Sequence, residues 1–230
     1  MFYWDPMYFV FALPALLLGL YAQFRVKSAY NKYLNVPNTA RITGVQAAQQ
    51  LMRTSGLQLR LEGTPGELSD HYDPRNNILR LSQGVAQSSS VAAVAIVAHE
   101  MGHALQDAQA YVPLRIRSGL VPIVNFTSWL GPLLFLVGML FNAPALAQLG
   151  VFAFAGAAVF ALVTLPVELN ASKRAMALLK QSNILSGSSE VKGARKVLNA
   201  AALTYIAALI QSISTLLYYI FLLGGRRSRR

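Results

Sequence analysis

The sequence contains no cysteine and few charged residues. The absence of cysteine excludes disulfides and thiolate metal ligands, so any metal ion must be held by nitrogen and oxygen atoms. Charged residues make up 13% of the 230 residues and hydrophobic ones 54%, whereas a soluble domain usually has about 25% charged residues. The apolar residues gather into runs of roughly 18 to 25, which is long enough to cross a bilayer. The composition predicts a multi-pass membrane protein.

Acidic residues are especially scarce, with nine Asp and Glu against 20 Lys and Arg and a formal net charge of +11. A soluble protein this basic would suggest nucleic acid as a partner, but no basic run carries interleaved aromatics or a known nucleic-acid-binding motif. In membrane proteins, basic residues collect in cytoplasmic segments and contact anionic head groups. We therefore expect the lipid bilayer as a partner, and no nucleic acid.

Four apolar runs predict four transmembrane helices. Basic residues follow the first run, Met7–Phe24, rather than precede it, which favours an uncleaved anchor over a signal peptide. The second and third runs are joined by a short uncharged connection and predict a membrane hairpin. The expected parts are an N-terminal anchor (1–24), a cytoplasmic segment (25–118), the transmembrane hairpin (119–167), a second cytoplasmic segment that begins with a candidate metal ligand (168–200), and a C-terminal helix with a basic tail (201–230).

The first polar segment predicts a small α+β unit. Leu57–Leu61 and Ile78–Leu81 alternate apolar and polar residues as half-buried strands do, and the turn-rich chain between them favours a short antiparallel sheet. Val45–Arg53 predicts a short helix, and three serines before Val91–Ala108 predict the N-cap of a longer one. The expected fold class is mainly α: a multi-pass membrane protein of about four helices, with a small cytoplasmic α+β segment.

The basic residues predict the orientation of the chain. Segments 25–118 and 168–200 hold ten and six Lys or Arg, and with four spans they lie on the same side, which the positive-inside rule makes cytoplasmic. Four spans also place the N-terminus and the four arginines of residues 226–230 outside, and this tail contradicts the rule locally. Either the sixteen charges outweigh those four, or the last run does not fully cross.

The sequence His99-Glu100-Met-Gly-His103 lies inside the predicted helix over Val91–Ala108. Residues four apart share a helix face, so both histidines can offer ring nitrogens to one metal ion. Glu100 would flank that ion as a general base, taking a proton from the attacking water and passing it to the leaving amine. The spacing predicts zinc (Zn2+) as the cofactor and hydrolysis of a polypeptide substrate as the reaction.

Catalytic zinc needs a third protein ligand and one open position. Glu168, at the cytoplasmic end of the third apolar run, is the predicted ligand. An interfacial Glu168 paired with Lys173 or Arg174 is the alternative interpretation, and His71 is the rival ligand. The small residues that follow Glu168 would let its helix approach the histidine helix closely.

Further residues are candidates for supporting contacts. His71 could stabilise an oxyanion or contact substrate, although a surface or capping histidine explains it as well. Asp107 is either an acceptor for a ligand histidine or a polar helix end. Arg174 could hold substrate or the tetrahedral intermediate, and a lipid-facing arginine explains it equally. Leu79–Leu81 could be an edge strand that pairs with an extended substrate.

The stretches His71–Ser82, Val91–Asp107 and Leu165–Ala175 resemble the membrane zinc metallopeptidase family typified by bacterial YugP, and the resemblance covers nearly the whole chain. It implies a neutral, gluzincin-like zinc peptidase in the bacterial inner membrane. More distantly, the residues that follow Glu168 are similar to the Glu-x-x-Ala-Asp signature of the Ste24 and HtpX membrane proteases.

The chain departs from the family pattern at one position. The family has Glu-Phe-Asp-Ala-Ser where this chain has Glu168-Leu-Asn-Ala-Ser172, so Asn170 replaces an aspartate. If that position were a ligand, the replacement would put metal binding in doubt. If it accepts a histidine N–H, asparagine can substitute.

The expected function is that of a zinc-dependent endopeptidase acting on membrane-associated or membrane-proximal proteins. A non-catalytic zinc-binding membrane scaffold or protease regulator is the alternative, against which the intact Glu100 argues, because a structural zinc site needs no base. Structural zinc also usually has four protein ligands. A small transporter would place ionisable residues deep in the spans, and the apolar runs carry no charged residue.

Overall fold

The computed structural model describes residues 6–227. Residues 1–5 and the last three residues of the basic tail, both used for the predicted orientation, lie outside the described residues. The elements, in chain order, are α1 (Pro6–Leu34), α2 (Gly44–Ser55), β1 (Arg60–Thr64), β2 (His71–Asp73), β3 (Ile78–Ser82), α3 (Gln83–Gln87), α4 (Val91–Ala108), α5 (Val112–Leu140), α6 (Pro144–Gln181) and α7 (Ser188–Arg227).

Four helices, α1, α5, α6 and α7, are long and apolar enough to cross a membrane. Their most apolar windows are only 6–17% buried within the protein, because large side chains such as Leu17, Phe126, Trp129 and Phe152 point outwards. An apolar surface of this extent suits contact with lipid tails rather than water. The expected class, a mainly α membrane protein, is confirmed.

The chain forms two compact units, of which the first comprises the described residues of Met1–Ala22, Arg115–Pro166 and Thr204–Arg230. Within it, α5 and α6 pack closely as a hairpin. A Cβ on Gly138 would lie 2.3 Å from the backbone nitrogen of Ala147, so only glycine permits this approach. The Phe135 ring stacks on that of Tyr219 from α7, with centroids 4.3 Å apart.

The second unit, Gln23–Leu114 and Val167–Leu203, contains the sheet and α4. The first half of α4 is rich in alanine and valine and is almost wholly buried. Ser90 caps this helix by accepting a hydrogen bond from the Ala93 backbone N–H at 3.1 Å. Because the side chains in this half of α4 are small and buried on all sides, the neighbouring elements pack closely around the helix. α4 therefore gives rigid support to the side chains in its second half.

The sheet is mixed, which corrects the expected antiparallel pairing. β3 is central, with β1 parallel on one side (Arg60 opposite Ile78) and β2 antiparallel on the other (His71 opposite Arg80). A tight turn joins β2 to β3, so these two strands pair in antiparallel fashion along one edge of β3. β1 is separated from β3 in sequence by β2 and its turns, and it pairs in parallel with the other edge of β3. Its position, Arg60–Thr64, is also displaced from the predicted Leu57–Leu61.

Candidate active site

Two helices of the second unit bring the three predicted metal ligands together. His99 and His103 lie one turn apart on α4, and their Nε2 atoms are 3.2 and 3.4 Å from Oε2 of Glu168 on α6. The three potential ligand atoms all lie within 4.8 Å of one another. Glu168 is only 2% exposed. The arrangement places two imidazole nitrogens and a carboxylate oxygen around one point, and we call these three residues the three-donor group.

Gly102 determines how closely α4 approaches α6. It lies between the two histidines in sequence and faces the backbone of Ala171, and a Cβ built on it would be 2.4 Å from the Ala171 carbonyl oxygen. Because backbone atoms cannot yield as a flexible side chain can, any larger residue would push the helices apart. The glycine therefore sets the distance between the histidines and Glu168.

The second ring nitrogen of each histidine also has a polar neighbour. Nδ1 of His99 is 3.2 Å from the Ser172 hydroxyl oxygen, and Nδ1 of His103 is 3.0 Å from Oε1 of Gln106. Contacts of this kind let Nδ1 carry the proton and leave Nε2 with a free electron pair. Two such nitrogens beside a carboxylate form a donor set that fits zinc.

The electrostatics of this group favour a positive charge. Burial opposes protonation of His103, but the Glu168 and Glu100 carboxylates outweigh it and raise the pKa of His103 above its usual value. The imidazole nitrogens and the carboxylates thus lie together where little water reaches them, and a bound cation would stabilise their negative charge.

Glu100 lies beside the three-donor group and is 9% exposed. Burial raises the pKa of the Glu100 carboxyl, and the two imidazoles oppose this shift. Its Oε2 accepts a hydrogen bond from the Tyr72 backbone N–H of β2 at 3.0 Å. The Tyr72 hydroxyl in turn lies 2.9 Å from Oδ2 of Asp107, so a second contact holds β2 against α4. Glu100 is thereby fixed with one oxygen engaged.

The remaining candidate residues differ in their placement. Asp107 contacts Tyr72 rather than a histidine. Oδ1 of Asn170 accepts hydrogen bonds from Gln106 Nε2 at 3.0 Å and from Arg174 Nε at 2.7 Å, so Gln106 stands between Asn170 and His103. His71 is exposed, with Nδ1 2.8 Å from the Ser69 carbonyl oxygen, and does not belong to the three-donor group.

Arg174 lies within the polar network of the second unit. Its guanidinium also donates to Oε1 of Gln109 and lies 5.6 Å from the centre of the Tyr111 ring. The prediction that Leu79–Leu81 forms an edge strand is wrong, because β3 has a neighbour on each side. The edge strand next to α4 is β2.

The roles of three residues at the site were not predicted from the sequence. Gln106 follows His103 by three residues, so helical spacing puts its amide next to the ring that it supports. Ser172 supports His99 from the other helix, and it follows Glu168 by four residues, on the same face of α6. That spacing was a usable signal. Tyr72 touches Glu100 through its backbone N–H, which every residue except proline carries, so its side chain gave no signal.

Comparison with known proteins adds to this geometry. Residues 8–224 match a family model described as "Putative neutral zinc metallopeptidase". The chain is 42% identical over 223 residues to the "Putative membrane protease YugP" of Bacillus subtilis (strain 168), an alignment that covers 96% of this chain and 99% of that protein. No solved structure matches the chain.

Proposed function

This chain belongs to the neutral zinc metallopeptidase family, and from that membership we propose that it is a gluzincin-like, zinc-dependent endopeptidase. The proposal is carried by the convergence of the His99, His103 and Glu168 donor atoms within 4.8 Å of one another, with Glu100 adjacent in sequence. We further propose membrane-proximal proteins as substrates, because Glu168 directly follows the apolar stretch of α6.

We propose that His99, His103 and Glu168 hold the zinc ion. When bound, zinc supplies Lewis-acid polarisation of a carbonyl group and of water. Ser172 and Gln106 would keep the Nδ1 protons of the two histidines in place, and the carboxylate of Glu168 would offset the charge of the ion. Three protein ligands leave a position for substrate or water.

Glu100 would act as the general base and then as the general acid. Oε2 is engaged by the Tyr72 N–H, whereas Oε1 has no hydrogen-bond partner within residues 6–227. The free oxygen would accept a proton from the attacking water and release it to the nitrogen of the leaving amine. Burial supports this role, since a carboxyl with a raised pKa both accepts and returns a proton readily.

An extended substrate would pair with β2. The β2 strand is at the edge of the sheet, and its Tyr72 N–H lies 3.0 Å from the proposed base. A peptide added as a further strand would have its backbone aligned by main-chain hydrogen bonds. Side-chain pockets would then contribute less to binding than the backbone does.

The proposed function is tested by metal-dependent proteolysis. The detergent-purified protein should cleave fluorescein-labelled casein, lose this activity after zinc is removed with 1,10-phenanthroline, and regain it on addition of one equivalent of zinc. Chelation should leave the protein monodisperse in gel filtration. Cleavage that persists in zinc-free protein would refute the metallopeptidase proposal, and one bound zinc without cleavage of any peptide would favour the non-catalytic scaffold.

We also propose that the protein resides in the bacterial inner membrane with the site facing the cytoplasm, as the basic residues of segments 25–118 and 168–200 suggest. The chain has no cysteine, so single introduced cysteines report orientation without background. A membrane-impermeant maleimide should label Asn142→Cys in spheroplasts of the expressing bacterium, but Arg75→Cys only after permeabilisation. Both positions are exposed. The reverse pattern would invert the proposed topology.

A further inference from the structure

We infer that Gln106 is a positioning residue that fixes which ring nitrogen of His103 carries the proton. The inference rests on the proposed metal site and extends it to a residue outside the three-donor group. Gln106 lies one turn after His103 on α4 and is fully buried. Its side-chain amide donates hydrogen bonds from α4 to two acceptors on α6 and also contacts His103.

The orientations of the Asn170 and Gln106 side-chain amides follow from Arg174, because a guanidinium can only donate hydrogen bonds. Arg174 Nε lies 2.7 Å from the Asn170 side chain, so the Asn170 oxygen must face it. The same oxygen is 3.0 Å from the Gln106 amide. An oxygen accepts, so the amide nitrogen of Gln106 must point towards Asn170.

A backbone carbonyl fixes the Gln106 amide independently. The Val167 carbonyl oxygen lies 2.8 Å from Gln106 Nε2 and can only accept. Both amide protons of Gln106 are therefore used on α6, and its oxygen is left facing His103 Nδ1 at 3.0 Å. With the amide reversed, the Gln106 nitrogen would face His103 Nδ1, and its oxygen would face two other acceptor oxygens, those of Val167 and Asn170.

The consequence for His103 is a single favoured tautomer. Since Gln106 presents an oxygen, Nδ1 must carry the proton, and the electron pair of Nε2 then faces Glu168. Glutamine suits this position because it accepts once and donates twice. A glutamate would set a carboxylate against two further oxygens, and an apolar residue would leave the Nδ1 proton without an acceptor.

The experiment compares zinc affinity, measured by chelator competition, in the wild type and four variants of the full-length protein. Gln106→Met keeps the length of the side chain but removes the amide. Asn170→Leu and Asn170→Asp have similar volumes, and only Asp retains the acceptor for Gln106 and Arg174. Gln50→Leu is the matched control, because Gln50 likewise donates to a backbone carbonyl, that of Ser182 at 3.0 Å, away from the histidines.

We expect Gln106→Met to weaken zinc binding by about 10- to 100-fold, the range found when the partners of metal-binding histidines are removed. Asn170→Leu should weaken it less, whereas Asn170→Asp and Gln50→Leu should stay within about threefold of the wild type. If these side chains supported zinc binding only through packing, Asn170→Asp and Asn170→Leu should have the same zinc affinity. With three histidines in the chain, spectra of ¹⁵N-histidine should also show loss of the hydrogen-bonded His103 Nδ1 proton in zinc-saturated Gln106→Met.

Unchanged affinity in Gln106→Met, or equal losses in Asn170→Asp and Asn170→Leu, would overturn the inference while leaving the proposed function intact. A wild-type protein that binds no zinc would overturn both. If Gln106→Met does not fold, the pair at position 170 and the protonation of His103 in wild-type spectra decide the question, since an unprotonated Nδ1 contradicts the tautomer directly.

Discussion

Glu100→Gln is expected to abolish proteolysis while zinc stays bound. Glutamine has the same shape and its oxygen can still accept the Tyr72 N–H, so the fold and the three-donor group should be unaffected. The substituted amide cannot take a proton from water, and loss of a general base costs about 10²- to 10⁴-fold in rate. The measurement is kcat on labelled casein, together with the zinc content of the same preparation.

The matched control is Glu67→Gln, which removes an exposed carboxylate from the turn before β2. This variant should retain wild-type activity and zinc. If the Glu100→Gln protein cleaves casein at the wild-type rate, Glu100 is not the base. If it loses zinc as well as activity, the change has damaged the fold of the site.

Elemental analysis should find one equivalent of zinc in the wild type and much less in Glu168→Gln. The Glu168 carboxylate is 2% exposed and lies 3.2 and 3.4 Å from the two histidine nitrogens. The amide would be a weaker, uncharged donor there. Since removing the supporting partner of a ligand already costs 10- to 100-fold in metal affinity, loss of the carboxylate itself should cost more than about 100-fold.

His71→Ala provides the comparison, because His71 was the rival ligand. It is exposed and its Nδ1 faces the Ser69 carbonyl oxygen, so its removal should leave the zinc content at one equivalent. The opposite pattern, with zinc kept in Glu168→Gln and lost in His71→Ala, would refute the ligand assignment. It would also favour the structural zinc site of a scaffold protein.

The four membrane-capable helices could be predicted from hydropathy, but their ends could not. The predicted hairpin ends at residue 167, whereas α6 continues to Gln181. Beyond Val167 the helix is stabilised by burial of Ala175, Leu178 and Leu179 in the core of the second unit. Hydropathy identifies the length of chain that suits lipid, and it does not detect a helix that continues because its side chains pack on protein.

The direction of strand pairing was not predictable from alternation. An alternating pattern shows which face of Ile78–Ser82 is buried, but it does not identify the neighbouring strand or its direction. The intervening β2 has only three residues, too few for a period-two pattern to be recognised. Its presence next to β3 is what places β1 on the far side.

The sequence predicted the central residues of the site better than their surroundings. The four-residue spacing of His99 and His103 follows from helix geometry, and the position of Glu168 at the end of an apolar run made it the expected partner; their roles stay predictions. The contact between Gln106 and Asn170 depends on how closely α4 and α6 approach. Gly102 sets that distance through a backbone contact, which a sequence pattern does not specify.

His99 and Glu168, the two halves of the three-donor group, lie 69 positions apart in the chain, and α5 and the part of α6 before Glu168 are encoded between them. At a synthesis rate of about 5–20 residues per second, the ribosome needs roughly 3–14 s to travel from one to the other. During that interval the nascent chain has its histidines and Glu100 but not the acidic donor. A polypeptide that stalls before residue 168 is thus made without the full donor set, and translation itself delays assembly of the site.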